Sequence, residues 1–222
     1  MQRAGISNMD ELKKEVQRCW DADPMSYNID CQPGTPEFFK AIDQQFEELH
    51  FFGQKNRPLL SGLIDYPSFK GAAVLEVGCG MGSLAEELAK TAGSTHALDL
   101  TPTAARLTGR RFSAGGYNAL ALQGDAENLP FPDGKFDYVL SWGVLHHTPR
   151  TQQTIDEIHR VLKPGGKIGI MLYHRNSLDF YYHMIFKWGI IGGKLLKHNV
   201  QGILNLRTDK GDQGGTPLAK AY

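Results

Sequence analysis

The stretch Val74-Leu75-Glu76-Val77-Gly78-Cys79-Gly80-Met81-Gly82 constrains this chain more than any other. A short apolar run enters three glycines spaced G-x-G-x-G and leaves toward a helical pattern opened by Ser83. Without a Cβ, glycine lets the backbone approach a ligand and adopt conformations closed to other residues. The helix that follows points unpaired N–H groups into the same crevice. Seventeen residues after Gly82 stands Asp99, at the end of the next apolar run, where a carboxylate can accept both hydrogen bonds of a ribose diol. A dinucleotide fingerprint needs G-x-G-x-x-G, and Ser83 occupies the place of its third glycine, so the spacing speaks against a pyrophosphate ligand. A turn built only for close packing is the plain alternative. Glu76 argues against it, because a carboxylate inside an apolar strand is costly without a partner; it can meet a ligand ammonium or orient the turn.

Five short apolar runs read as strands: 74–78, 95–100, 118–123, 136–142 and 167–173. Helical patterns separate most of them. Leu84, Ala85, Leu88 and Ala89 share one face, Ala104, Ala105, Leu107, Thr108 and Phe112 a second, and Ile155, Ile158, Val161 and Leu162 a third. The link between the third and fourth runs is largely non-helical. This order predicts an α/β fold, a Rossmann-like parallel sheet with helices on both faces. Before the sheet, 1–69 read as an N-terminal helical cap. It has helices at Asp10–Trp20, from Thr35-Pro36-Glu37 onward, and at Leu59–Ile64. Residues 70–176 form the core, and 177–222 an apolar helical insertion and tail.

Lys plus Arg and Asp plus Glu both number 24, so no global basic excess exists to hold a nucleic-acid backbone. Three cysteines, Cys19, Cys31 and Cys79, make no disulfide framework, and no compact Cys/His cluster suggests a metal. With no apolar leader and cleavage site at the N-terminus, a cytoplasmic location is expected.

Residues 70–176 resemble the nucleotide-binding core of class I S-adenosylmethionine-dependent methyltransferases, matching its motifs in order. VLEVGCGMG at 74–82 is similar to the first motif, whose loop holds the methionine part of the cofactor. That implies cofactor-binding roles for Glu76, Gly78, Cys79, Gly80 and Gly82. Asp99 resembles the ribose-binding acid, with Leu100 beside the adenine face. Gly124-Asp125-Ala126-Glu127-Asn128-Leu129-Pro130-Phe131 resembles the loop that borders adenine: Asp125 would accept from the exocyclic amine and Ala126 N–H donate to a ring nitrogen. The backbone near Ser141 and Trp142 would meet the methionine moiety. Leu162-Lys163-Pro164-Gly165-Gly166 resembles the turn before strand five. The resemblance implies S-adenosylmethionine as cofactor, S-adenosylhomocysteine as product and a small-molecule acceptor. The overall pattern is similar to bacterial methyltransferases acting on quinones, lipids or secondary metabolites. A non-catalytic binding module on the same fold and a nicotinamide-dependent oxidoreductase are the alternative functions.

Methyl transfer needs no obligatory metal, and a base only for an acceptor that holds a proton. His146 and His147 lie just beyond strand four, at the ligand edge of an open α/β sheet. His147 is the candidate base and His146 its packing neighbour; the alternative is that both hold the loop. Tyr173, His174 and Arg175 end strand five and are candidates to wall an acceptor pocket, as is Tyr27 from a flap over the cofactor. The bulky run 177–197 is too interrupted for a transmembrane span. Outer core layer, lid over an apolar pocket, and peripheral membrane or oligomer contact all stay open for it, as does the oligomeric state. Class I sheets usually carry seven strands. With five legible, the resemblance predicts that further strands lie past Tyr222.

Overall fold

The fold is that of a computed structural model, which describes residues 2–22, 29–49, 57–174, 176–178, 180–207 and 217–222. Five strands form one parallel sheet: β1 (Ala73–Val77), β2 (Ser94–Asp99), β3 (Ala119–Gln123), β4 (Phe136–Trp142) and β5 (Leu162–Met171). Their spatial order is β3-β2-β1-β4-β5. The chain therefore winds outward in one direction from β1 to β3, then returns to the other side of β1 for β4. This reversal opens a crevice at the carboxyl ends of β1, β2 and β4, where an open α/β sheet takes its ligand. The register sets Glu76 of β1 beside both Ala97 and Leu140.

Alternate residues of the central strand feed two cores. Leu75 and Val77 pack with Leu98, Phe136, Val139, Leu145 and Ile158. Val74, with Leu140 of β4, packs on the other side with Leu84, Leu88 and the apolar residues Phe46, Leu59, Leu60 and Phe69. Each fully buried side chain of this kind contributes about 1.5–3 kcal/mol of transfer free energy. The two-residue period thus holds helices against both faces of β1.

The helices of the core are α3 (Ser83–Thr91), α4 (Pro102–Gly115) and α5 (Thr151–Val161), preceded in the chain by α1 (Gln2–Ala22) and α2 (Pro36–Leu49). The proline-marked start of α2 behaves as expected, and α4 opens in the same way. Thr35 Oγ1 accepts from Phe38 N–H at the start of α2, and Thr101 Oγ1 from Ala104 N–H at the start of α4. Ser83 differs from the expected cap. Gly82 caps α3 in the left-handed conformation (φ 77°), and Ser83 is its first, buried residue. Residues 59–63 form turns rather than a helix, because Leu60 is held at φ 55° beneath Tyr66, whose hydroxyl donates to Leu59 C=O. The Lys163-Pro164-Gly165-Gly166 turn lies inside β5: Leu162 pairs with Phe136 and Lys167 with Tyr138 across an irregular step.

Arg111 of α4 ties the outer layer to the glycine turn. Its guanidinium donates to Phe39 C=O and Asp43 of α2, and to Met81 C=O and Ser83 Oγ. Past β5, a π-helical segment, Phe180–Ile191, packs Met184 on Ile203 and Leu204 of α6 (Val200–Arg207). The final residues return to the sheet's ligand edge, where Lys220 N–H donates to His146 C=O and Tyr222 N–H to Tyr173 C=O.

Candidate active site

A cavity of about 420 Å³ lies at the carboxyl ends of β1, β2 and β4. Its floor is the glycine turn, represented by Gly78 and Gly80. Gly80 is held at φ 51°, and its N–H donates to Asp99 Oδ2 at 3.0 Å. The other oxygen, Oδ1, accepts from both the N–H and the hydroxyl of Thr101, each at 2.9 Å. Burial pushes the Asp99 carboxyl up, and these donors work against that shift. A carboxylate oxygen offers about two lone-pair sites, so Asp99 retains capacity toward the cavity it lines.

Leu100, Asp125 and Ala126 line the neighbouring wall. Asp125 Oδ1 accepts from Glu127 N–H at 2.9 Å, a local turn bond that fixes the carboxylate. Its Oδ2 accepts from Lys13 Nζ of α1 at 2.6 Å. Lys13 also meets Glu127, whose carboxylate is 2% exposed and pairs with Arg150 at 3.0 Å. Arg150 reaches Asp10 of α1 in turn, at 2.7 Å. Burial pushes Glu127 up, but hydrogen bonds from Lys13 and Arg150 leave its carboxyl below the usual range. The same helix sends Gln17 Nε2 to Leu100 C=O, and Asp21 accepts from Thr103 N–H. Val16 and Trp20 of α1 line the cavity with Phe46, Trp142, Val144 and Met171, an apolar set.

His147 borders the cavity and is almost wholly buried. Its Nδ1 lies 2.5 Å from Leu218 C=O. A carbonyl only accepts, so Nδ1 carries a hydrogen. Trp20 packs edge-on against this imidazole at 5.1 Å. His146 is fully buried, away from the cavity lining, and stacks near Tyr173 at 4.0 Å.

Of the residues expected from sequence, Gly78, Gly80, Asp99, Leu100, Asp125, Ala126, Trp142 and His147 line one cavity. Glu76, Cys79, Gly82 and Ser141 stand behind its wall. Ser141 Oγ donates to Val77 C=O and joins the ends of β4 and β1. Glu76 is buried, and its Oε2 has no hydrogen-bond partner among the described residues. Burial, and then repulsion from Asp99, push its carboxyl well above the usual range. Tyr173 and His174 are not among the lining residues, and His174 is exposed. Tyr27 and Arg175 lie outside the described residues. Sequence reasoning missed Lys13, Gln17 and Trp20. The amphipathic stripe of α1 signalled a buried face but not which part of the sheet would receive it.

The residues present suit an adenosyl sulfonium ligand bearing an amino acid. A glycine floor admits close backbone approach, Asp99 lines the cavity with one Oδ2 lone pair left for a ribose hydroxyl, and Glu76 carries a buried oxygen with no hydrogen-bond partner among the described residues, on the strand beneath the turn.

The methyltransferase domain family matches residues 74–166. A Mycobacterium ulcerans protein named a probable phthiotriol/phenolphthiotriol dimycocerosates methyltransferase is 44% identical over 98 residues, covering 43% of this chain and 37% of that one. A fatty-acid O-methyltransferase of Mycolicibacterium smegmatis is 42% identical over 99 residues, covering 44% and 35%. The matched stretch thus spans about a third of the length of these curated relatives. Among solved structures, a candidate methyltransferase from Bacillus halodurans C-125 superposes with a TM-score of 0.51 at 27% identity, covering 59% of this chain and 58% of that one. The YcgJ protein of Bacillus subtilis superposes at 0.50 with 25% identity, covering 56% of each chain. Residues 74–166 are thus similar in sequence to methyltransferase domains, and the α/β sheet is similar to the fold of the solved structures.

Proposed function

We propose that the chain transfers the methyl group of S-adenosylmethionine to an apolar small-molecule acceptor. The observation that carries this reading is the Gly80 N–H to Asp99 bond at the floor of the cavity, with Asp125 on the adjoining wall. When bound, S-adenosylmethionine supplies an activated methyl on a sulfonium, so little covalent chemistry is left to the protein. Gly78 and Gly80 hold the methionine portion through backbone groups. Asp99 accepts from a ribose hydroxyl, and Asp125 from the adenine amine between Leu100 and Ala126. Glu76, behind the cavity wall, reaches the ligand ammonium through water.

The acceptor side is built from Trp20, Phe46, Val144 and Met171. These exclude water and favour an apolar body. The names of the two mycobacterial relatives, a fatty-acid O-methyltransferase and a probable phthiotriol/phenolphthiotriol dimycocerosates methyltransferase, support that class. His147, its Nδ1–H engaged by Leu218 C=O, would take an acceptor proton at Nε2. Helix α1 closes the site through Lys13 and Gln17.

Incubation with S-adenosylmethionine and a panel of long-chain fatty acids, quinols and phenols tests the reading. A methylated product with matching S-adenosylhomocysteine is expected. Cofactor binding with no product across the panel would instead favour a non-catalytic module.

A further inference from the structure

The segment after β5 presents two apolar faces, and only one of them is covered. In the π-helical stretch, Phe180, Met184 and Trp188 turn toward α6, against Ile203 and Leu204. Tyr181, Tyr182, Phe186, Ile190 and Ile191 turn outward, and Leu196 follows them. Phe186 is 49% exposed, Ile190 60% and Ile191 69%. Tyr181, Phe186 and Ile191 recur every five residues, the hydrogen-bonding step of a π-helix, so the outward stripe follows from the helix type. A contiguous apolar patch of this kind marks an interaction surface rather than ordinary exposure.

Charge selects the partner. Residues 180–207 contain Lys187, Lys194, Lys197 and Arg207 and no aspartate or glutamate. Lys187, Lys194 and Lys197 are exposed, and Lys187 Nζ stands 6.0 Å from the Trp188 ring. A two-fold pairing of this face would bring lysines against their own copies, with Asp179 the only acid of residues 177–207 to answer them. Tyrosine and tryptophan rings, aliphatic side chains and flanking lysines suit the boundary between acyl chains and anionic headgroups. The net charge of the chain is zero, so the attraction is local to this face.

We infer that the outward face of residues 181–197 is a docking surface for an anionic lipid bilayer. The covered face of the same segment leads back to the sheet's ligand edge: Ala221 packs on the same cluster as Met184, and the next residue back, Lys220, donates to His146 C=O. Docking would therefore set the cavity close to a source of apolar acceptors. Among the described residues no helix is long and apolar enough to cross a membrane, so contact would be at the surface.

Vesicle co-sedimentation of the 222-residue chain tests this. The probes are phosphatidylcholine alone and phosphatidylcholine with about a third phosphatidylglycerol, at ~0.1 M and ~0.5 M salt. Binding is expected to be at least about tenfold stronger to the anionic vesicles, and weaker at high salt. The exposed triple change Phe186→Ser, Ile190→Ser, Ile191→Ser and the triple change Lys187→Glu, Lys194→Glu, Lys197→Glu should each lower it about tenfold or more. Both should leave the circular dichroism and solution cofactor affinity unchanged, which separates this test from that of the methyl-transfer reading. Absence of vesicle binding, equal binding by the variants, or self-association abolished by the apolar triple change would each overturn the inference.

Discussion

Glu76 sits where cofactor chemistry and fold stability pull in opposite directions. It is buried on the central strand with no hydrogen-bond partner for Oε2 among the described residues, and its carboxyl is pushed well above the usual range by burial and then by Asp99. A carboxyl that binds its proton more tightly in the folded chain contributes stability below its unfolded value, 4.5, and that contribution shrinks as pH rises toward the folded value. Glu76→Gln is therefore expected to flatten the decline in unfolding free energy above pH 4.5, while weakening S-adenosylmethionine binding. Denaturant titrations from pH 4 to 8 compare the two proteins, and parallel curves would mean that Glu76 is not held protonated. His147 presents a separate case. If its Nε2 takes the acceptor proton, His147→Gln lowers turnover about 10²–10⁴-fold with cofactor affinity nearly unchanged. Full turnover by the variant would leave the imidazole a packing role against Trp20 and Leu218.

Two clamps set how the outer helices sit on the sheet. Arg111 is 3% exposed and binds α2 and the glycine turn at once. Arg111→Leu strands Glu86 and Asp43, and with Asp43 one-third exposed (34%) the expected loss is about 3 kcal/mol. Thermal denaturation reads this loss directly. The second clamp is Lys13 between Asp125 and Glu127. Burial lowers the Lys13 ammonium, but its two carboxylate partners outweigh that and leave it raised. Its contribution is thus complete below pH 10.5 and lost above the folded value; that of Glu127, whose carboxyl is lowered, is complete above pH 4.5 and lost below the folded value. Amide exchange of residues 10–22, taken relative to the intrinsic rate at each pH, should accordingly be slow across neutral pH and relatively faster in acid. Lys13→Met should quicken it several-fold at pH 7. Unchanged exchange would show that apolar contacts alone seat α1. These clamps explain the limits of the sequence reading. The strands, the glycine turn, and the capped start of α2 rest on neighbours within a few residues, and they were legible. The Lys13–Asp125 bond joins residues 112 apart, which no local pattern encodes. The turns at 59–63 look helical by apolar spacing, yet the left-handed Leu60 and the Tyr66 hydroxyl decide their shape.

Across the whole molecule, one sheet reversal gathers Gly78, Gly80, Asp99, Asp125, Trp142 and His147 around a single cavity, although they come from four strand ends. That convergence makes the cavity the cofactor site in this account, and calorimetric titration with S-adenosylmethionine tests it most directly. The wild-type chain should bind and NAD should not. Asp99→Ala, which removes a hydrogen-bonding carboxylate at a strand end, should weaken binding by about 1–3 kcal/mol with the fold retained. Gly80→Val should weaken it further, since its side chain would project from a left-handed backbone (φ 51°) at the cavity floor. Unchanged S-adenosylmethionine affinity in both folded variants would contradict the assignment.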